Sequence, residues 1–151
     1  MVCLGNICRS PLAEGILKQK ALDASLNWQI ESAGTINFNS GLPPHHFSQK
    51  VALINGININ QKRSREFKPG DYLAFDKIYA MSSDVITEIK KIAGPAYNNN
   101  KTGLLLDELF PGKNKEVPDP YTGTEPDFHE VYKMIAEACD MIVQKYAAPT
   151  K

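Results

Sequence analysis

The sequence predicts an α/β protein, a three-layer, doubly wound sheet of four parallel strands with helices on both faces, and three observations favour this class. Short runs rich in β-branched and aromatic residues alternate with longer stretches of helical periodicity. A glycine-containing loop joins the first strand directly to the first helix. The length, 151 residues, suits one domain with its own core and is short for two. We therefore expect a single domain over residues 1–151.

The predicted elements alternate strictly, which indicates parallel strands joined by helical crossovers. In order, they are a first strand that precedes residue 3, a helix at 10–21, a strand at 28–33, a helix at 45–55, a strand at 77–81, a helix at 83–93, a strand at 103–106 and a helix from 126 onward.

The first half of the chain carries its own start and stop signals. Only residues 1–2 precede the loop, whereas strands run to about 5–6 residues, so the first strand is either short or begins before the given sequence. Ser10 is a favoured N-cap and Pro11 suits a first helical turn. Gly34 ends the second strand, and Gly56 closes the second helix.

In the second half, the final helix gives the strongest pattern. The strand at 77–81 is followed by a helix that Gly94 and Pro95 end, and the fourth strand is a short apolar run. Apolar residues then recur at helical spacing on one stripe: Phe128, Val131, Tyr132, Ile135, Cys139, Ile142 and Tyr146. A helix with such a stripe covers the sheet.

The loop over residues 3–10, C-L-G-N-I-C-R-S, is the candidate functional element. Its length lets successive backbone N–H groups point at one anion, and the planar fork of Arg9 takes two phosphate oxygens at once. Gly5 and Asn6 tolerate the backbone angles of a tight loop. The following helix N-terminus stabilises the thiolate form of Cys3. These features predict a phosphate-binding loop with a nucleophilic thiolate, although a Cys-x5-Arg spacing alone is more often packing.

The run Val2–Glu14, V-C-L-G-N-I-C-R-S-P-L-A-E, resembles the signature of the low-molecular-weight protein tyrosine phosphatases. Asp119-Pro120-Tyr121 resembles the acid loop of the same family, although Asp-Pro alone is a common turn. Weaker similarity covers nearly the whole chain. The resemblance implies hydrolysis of phosphotyrosine, or of a small aryl phosphate, through a phospho-cysteine intermediate.

The resemblance also implies residue roles. Cys3 attacks phosphorus, Arg9 and the loop amides bind the phosphoryl oxygens, and Asp119 first protonates the leaving phenolate and then activates water. The Ser10 hydroxyl supports the thiolate. The substrate-binding positions that it implies are Leu4, Gly5, Asn6, Ile7, Cys8, Ser10, Phe38 and Tyr121.

Three further positions bear on this resemblance. Ile7 is typical of tyrosine-directed members, whereas related arginine phosphatases carry threonine there. Ser82 and Lys62 depart from the Asp and His that the family commonly carries, which bears on how Asn6 and Ser32 brace the loop and hence on the rate. The resemblance places Arg65 near the same supporting structure.

Composition excludes several other classes. The 17 basic and 17 acidic residues balance, so nothing indicates a nucleic-acid or membrane partner, and the expected ligand is phosphate or a similar oxyanion held locally. We predict no cofactor and no metal: three cysteines lack paired spacing, and neighbouring His45 and His46 on a helix point about 100° apart. No signal segment or membrane span is evident, so a cytoplasmic location is expected.

Two alternatives remain open at this stage. Thioredoxin-coupled arsenate reduction shares the loop but needs resolving cysteines after the third strand, and residues 82–93 contain none. A phosphotyrosine-binding module without activity would lack the nucleophile or the acid, and both are present. Cys8, in the same loop as Cys3, is predicted to capture an oxidised Cys3 as a reversible disulfide, while Cys139 is expected to be an inert core thiol.

Overall fold

The centre of the fold is a four-stranded parallel sheet composed of β1 (Val2–Cys3), β2 (Ala33–Gly34), β3 (Ile78–Ala80) and β4 (Thr102–Leu104). The structure is a computed structural model and describes residues 1–147. The strand order is β2-β1-β3-β4, so the chain pairs β2 on one side of β1 and then crosses to place β3 on the other. This reversal is a topological switch point, where open α/β sheets bind their ligands.

Helices cover both faces of the sheet, which confirms the predicted α/β class. They are α1 (Arg9–Asp23), α2 (His46–Ile54), α3 (Pro69–Ala74), α4 (Ser83–Ala93) and α5 (Glu125–Tyr146), with short 3-10 helices at Gly94–Ala96 and Leu105–Glu108. None of the helices within residues 1–147 has the length and apolar character needed to cross a bilayer.

The two faces carry separate apolar cores, and the alternation of β1 assigns Cys3 to one of them. Cys3 joins the core formed with α1 and α5, where Leu12 and Phe128 are fully buried. Val2 points to the opposite face, into the core formed with Tyr72 of α3 and α4. Full burial of each large apolar side chain contributes about 1.5–3 kcal/mol, so both cores hold β1, and with it the start of the loop, in place.

The predicted strand bounds need correction at β2 and β4. The prediction of strand at 28–32 is wrong, because β1 offers pairing only around residues 1–3 and the ladder begins where Ala33 N–H donates to the Met1 carbonyl at 3.1 Å. The fourth strand is Thr102–Leu104 rather than 103–106, since its only partner, β3, ends at Ala80 opposite Leu104. The chain then turns into a 3-10 helix.

The sequence patterns did not predict α3. Six residues give too few positions for a helical period, and Tyr72 is the only buried side chain among them. The usable signal was local: Pro69 occupies the first helical position, and the Asp71 carboxylate accepts from Lys68 N–H at 2.8 Å.

Candidate active site

The loop from Cys3 to Arg9 closes at the carboxyl end of β1 and leads directly into α1. Asn6 has a left-handed backbone with φ of 57°, a conformation that asparagine tolerates better than most residues. Its N–H donates to Cys3 Sγ at 3.3 Å, so the turn folds the backbone back over the thiol. Gly34 of β2 lies so close that a Cβ there would meet the Leu4 carbonyl oxygen at 2.7 Å.

Four carbonyls of this loop are bonded to groups outside it. Leu4 C=O accepts from Ile36 N (3.2 Å), Gly5 C=O from Ser64 Oγ (3.0 Å) and Asn39 Nδ2 (3.4 Å), Ile7 C=O from His45 N (2.8 Å), and Cys8 C=O from Ser48 Oγ (3.1 Å). Each N–H of a peptide plane points away from its carbonyl, so the N–H groups of Gly5, Asn6, Cys8 and Arg9 face the loop interior. Inward N–H groups of this kind are the geometry of an anion-binding nest.

Both the nitrogen and the oxygen of the Asn6 side-chain amide hold this strained turn in place. Its Nδ2 donates to Ser10 Oγ at 2.8 Å and to Ser32 Oγ at 3.0 Å, while its Oδ1 accepts from Arg65 N–H at 3.0 Å. Asn6 is buried, so these bonds face no competition from water. Arg65 thus supports the site through its backbone, as expected, and its guanidinium is bound to Asp71 and Glu31 instead.

Ser10 contacts the thiol and does not cap the helix. The prediction that Ser10 is the N-cap of α1 is wrong, because the helix begins at Arg9 and its N-cap is Cys8, without a side-chain cap bond. Ser10 Oγ instead lies 2.9 Å from Cys3 Sγ. Since this oxygen already accepts from Asn6, its own hydrogen is free to donate to the sulfur.

Arg9 joins the loop to a segment more than 100 residues away. It is buried, and its Nη1 donates to the Val117 carbonyl at 3.0 Å while its Nη2 lies 3.7 Å from Asp119 Oδ2. The Val117 N–H donates to the Met81 carbonyl at 2.9 Å, just beyond β3. Residues 117–119 are thereby fixed at the carboxyl edge of the sheet. The structure brings the predicted Cys3, Arg9 and Asp119 into one site.

The two aromatic residues predicted to contact substrate differ in their surroundings. The Tyr121 ring meets the His45 ring edge-on at 5.9 Å, and the Asp119 carboxylate accepts from the Tyr121 N–H at 3.1 Å. Phe38 is 86% exposed and lies one residue before Asn39, whose amide binds the loop. Tyr121 is thus exposed but in contact with His45 beside Asp119, while Phe38 projects into solvent.

His45 and His46 lie at the start of α2, as the sequence indicated. His45 is the N-cap, and its Nδ1 accepts from Phe47 N–H at 3.1 Å. Partial burial, together with the charge of His46, lowers the pKa of His45. The neutral ring stacks on Phe128 at 4.7 Å, so the residue that binds the Ile7 carbonyl also packs against α5.

A buried carboxylate supports the loop from behind. Glu14 Oε1 accepts from Ser32 Oγ at 2.6 Å, and Glu14 also pairs with Lys18 at 2.6 Å and with Lys62 at 3.3 Å. Lys62, one of the two departures from the family pattern, also donates to the Ser32 carbonyl at 2.8 Å. Ser32 remains braced in this chain because lysine supplies the bonds. Ser82, the other departure, is the N-cap of α4, and its hydroxyl donates to Asp84.

We expect Glu14→Gln to lower the free energy of unfolding at pH 7 by roughly 1–3 kcal/mol, the scale of hydrogen bonds to charged groups. Burial alone would raise the pKa of Glu14, but the hydrogen bonds from Lys18 and Ser32 and the charge of Lys62 outweigh it, so the pKa is lowered. The contribution is therefore present above the ordinary glutamate pKa of about 4.3 and is lost as pH falls through the folded value.

Urea unfolding at pH 7 and at progressively lower pH measures this effect. The gap between parent and Glu14→Gln should narrow as the solution is acidified below the ordinary carboxyl range. Glu137→Gln, at an exposed site of α5, serves as the matched control and should stay within about 0.5 kcal/mol of the parent. A gap of constant size from neutral to acid pH would contradict the role given to the ionised carboxylate.

The three cysteines are free and buried. Burial is the main cause that raises the pKa of Cys8 to about 12, and it raises that of Cys139 to about 12 as well. Both thiols stay protonated at neutral pH, which matches the expected inert role of Cys139 in the core. A disulfide between Cys3 and Cys8 stays a prediction.

Sequence reasoning missed the residues that hold the loop carbonyls, namely Asn39, Ser48 and Ser64, and it missed the supporting Glu14. Backbone carbonyls look alike in any sequence, so the first three have no motif of their own. Glu14 had a usable signal, because it lies within the motif Val2–Glu14.

A parallel α/β sheet with a cysteine and an arginine at the two ends of the loop after the first strand is the arrangement that the resemblance to the low-molecular-weight phosphatases implied. The family model described as low molecular weight phosphotyrosine protein phosphatase matches residues 1–149. The chain therefore belongs to that family, whose members are hydrolases.

Individual relatives are similar to this chain over most of their length. The low molecular weight protein-tyrosine-phosphatase PtpA of Staphylococcus saprophyticus is 39% identical over 145 residues, which cover 94% of this chain and 88% of the relative. The crystal structure of a protein tyrosine phosphatase from Entamoeba histolytica with Hepes in the active site superimposes with a TM-score of 0.89 at 34% identity, covering 97% of this chain and 94% of that chain. The drosophila arginine phosphatase DARP gives 0.88 at 29% identity, with 99% and 97% covered.

Proposed function

We propose that this chain is a protein-tyrosine phosphatase that hydrolyses phosphotyrosine, or a small aryl phosphate monoester, through a phospho-cysteine intermediate on Cys3. One observation carries the proposal: the Cys3 thiol lies in a nest of inward N–H groups, beside the Ser10 hydroxyl, and Arg9 links that nest to the Asp119 carboxyl. Nucleophile, anion donors and a candidate acid therefore surround one position.

In the first step, the Cys3 thiolate attacks phosphorus in line with the leaving oxygen. The S–P bond forms as the P–O bond to the phenol breaks, and Asp119 gives its proton to the phenolate. The inward N–H groups and the Arg9 guanidinium hold the three phosphoryl oxygens. Arg9 is rigidly aimed because Val117 holds it, so its charge needs no reorganisation as the transition state develops.

In the second step, water attacks the phospho-cysteine and the S–P bond breaks. Asp119, now ionised, takes the proton of that water, and inorganic phosphate leaves. The departing sulfur is again a thiolate, which the Ser10 hydroxyl and the Asn6 N–H stabilise. Both steps thus use the same acid and the same sulfur contacts.

The depth of the Cys3 sulfur and the aromatic side chains beside the loop favour an aromatic ester. The sulfur is buried at the floor of the loop, so a short phosphoserine side chain does not reach it, whereas a phenyl ring spans the depth and lies between Tyr121 and the exposed Phe38. Ile7 lines the same loop and agrees with a tyrosine-directed member. The substrate is then a phosphotyrosine protein or an aryl phosphate, which one phosphatase domain binds and hydrolyses. Free cysteines suit the cytoplasm.

The proposal predicts that Asp119→Asn slows hydrolysis according to the leaving group. With phenyl phosphate, a poor leaving group, we expect a loss of about 10²–10⁴-fold in kcat/KM, the range of general acid catalysis. With para-nitrophenyl phosphate, whose phenolate departs without a proton, the loss should be much smaller. Initial rates over a series of substituted aryl phosphates at mildly acidic pH measure the dependence.

Asp127→Asn is the matched control, because Asp127 caps α5 and makes no contact with Arg9 among the described residues. Asp127→Asn should lower kcat/KM only slightly, and by the same factor for every aryl phosphate. An equal loss across leaving groups for Asp119→Asn would show that Asp119 is not the acid. Absence of any aryl phosphate hydrolysis by the parent would contradict the proposed function itself.

A further inference from the structure

We propose that the first turn of α2 positions the phosphate-binding loop, and that Ser48 is a positioning residue for the bound oxyanion. The inference rests on the proposed phosphatase function and adds to it an element outside both motifs. Ser48 lies 40 residues from the carbonyl that it binds, on a different helix from the one that follows the loop.

Two consecutive loop carbonyls are bound by this turn. The His45 N–H donates to the Ile7 carbonyl at 2.8 Å, and the Ser48 hydroxyl donates to the Cys8 carbonyl at 3.1 Å. Ser48 has no exposed surface, so water cannot replace its hydroxyl. Cys8 is the N-cap of α1, so its carbonyl also accepts the first intrahelical N–H, and the Ser48 hydroxyl supplies a second bond whose loss lets this peptide tilt.

The opposite edges of the same two peptide planes carry the N–H groups of Cys8 and Arg9. Because a peptide unit is planar, a donor that fixes its carbonyl also fixes the direction of its N–H. These two N–H groups adjoin the N-terminus of α1, where the helix dipole adds to their attraction for an anion. Ser48 therefore acts on a bound phosphate through the backbone and does not touch it.

The turn that makes these bonds is itself held firmly. Val51 and Ala52 of α2 are buried in the core shared with α1 and α5. The Phe47 and Phe128 rings meet at 5.4 Å, and His45 stacks on Phe128 at 4.7 Å. Donors on a packed helix hold a loop more precisely than donors on another loop.

Ser48 is also the outside support that a single side-chain substitution removes completely. The Gly5 carbonyl has two donors, Ser64 and Asn39, and the Leu4 and Ile7 carbonyls accept from backbone N–H groups that no side-chain change removes. The Cys8 carbonyl has the Ser48 hydroxyl as its side-chain donor, besides the helical N–H that an N-cap carbonyl accepts. Ser48→Ala deletes that donor and leaves the rest of the loop intact.

Isothermal titration calorimetry with inorganic phosphate tests this role without turnover. For Ser48→Ala we expect the Kd for phosphate to rise about 5- to 10-fold, which corresponds to roughly 1–1.4 kcal/mol. The KM for an aryl phosphate should rise by a similar factor while kcat changes less. Ser48→Thr, which keeps a hydroxyl, should restore binding towards the parent value.

Tyr72→Phe is the matched control for loss of a buried hydroxyl. The Tyr72 hydroxyl bonds Thr102 at 2.7 Å in the other core, away from the loop. This variant should melt at lower temperature than the parent and bind phosphate equally well. A change of phosphate affinity in Ser48→Ala but not in Tyr72→Phe separates positioning from general destabilisation.

Phosphate binding by a folded Ser48→Ala within twofold of the parent would overturn the positioning role and leave the phosphatase function standing. If Ser48→Ala does not fold, Ser48→Cys decides, since its thiol fills the same space but donates weakly: a weakened affinity supports the role, and parent-like affinity overturns it. A parent that binds phosphate yet hydrolyses no aryl phosphate would contradict the proposed function, while the Ser48 comparison would still hold for binding.

Discussion

Replacement of Cys3 by serine is expected to lower aryl phosphate turnover by roughly 10⁴-fold or more, the scale on which removal of an enzyme's nucleophile acts. The serine hydroxyl is about the size of the thiol and fits the same loop, but it is a far poorer nucleophile. The contacts that hold the loop through the Asn6 side chain and the outside donors do not involve the sulfur. Binding of inorganic phosphate should therefore remain within a few-fold of the parent.

Steady-state rates with para-nitrophenyl phosphate, together with phosphate inhibition constants, measure both halves of this expectation. Cys139→Ser is the matched control, because Cys139 is fully buried in the core and lies far along the chain from the loop. It should lose stability, since it buries a hydroxyl among apolar groups, and keep its activity when folded. A Cys3→Ser protein that retains a tenth of the parent rate would refute the assignment of Cys3.

Arg9→Lys is expected to reduce kcat/KM by about 10²–10³-fold, the effect of removing one preorganised donor from an anion site. Lysine keeps the positive charge but cannot hold the Val117 carbonyl and two phosphoryl oxygens together, as the guanidinium fork can. Loss of the Arg9 bond also removes one of the two bonds that hold the Val117 backbone, so the segment that carries Asp119 is less firmly held. The loss should therefore appear in both phosphate affinity and kcat.

The same substitution at an arginine outside the site controls for the change of side chain. Arg63 is exposed and donates only to the carbonyls of Asn60 and Lys62 among the described residues. Arg63→Lys should be close to the parent in both constants. Near-normal kcat/KM in Arg9→Lys would contradict the view that a planar, two-pronged donor holds the phosphoryl group.

The part of the site that follows from local sequence was predictable. Cys3, Arg9 and Ser10 belong to one short loop and the helix after it, so their spacing alone limits how they meet. Asp119 was predictable only by resemblance, because its approach to Arg9 depends on a long-range bond between Val117 and the end of β3. No periodic pattern within residues 117–121 predicts that bond.

Other features depended on tertiary contacts that local patterns do not express. Residues 28–32 have strand-like composition, but strand formation requires a partner, and β1 does not extend alongside them. Serine is a residue type favoured at N-caps, but the Ser10 hydroxyl is hydrogen-bonded to Cys3 and Asn6 instead. Lys62 shows the reverse case: a residue foreign to the family pattern still braces Ser32 because its amine donates to the Ser32 carbonyl.

The most direct test of the account is the detection of a phosphoryl group on Cys3 during turnover. The parent protein, mixed with an aryl phosphate and quenched in acid within the first turnovers, is digested and analysed by mass spectrometry, with Cys3→Ser as the blank. The account predicts a peptide containing Cys3 that carries the mass of one phosphoryl group, absent from the blank and from samples quenched after substrate is exhausted. Steady turnover with an unmodified Cys3 at every time, or a phosphoryl group on another residue, would contradict it.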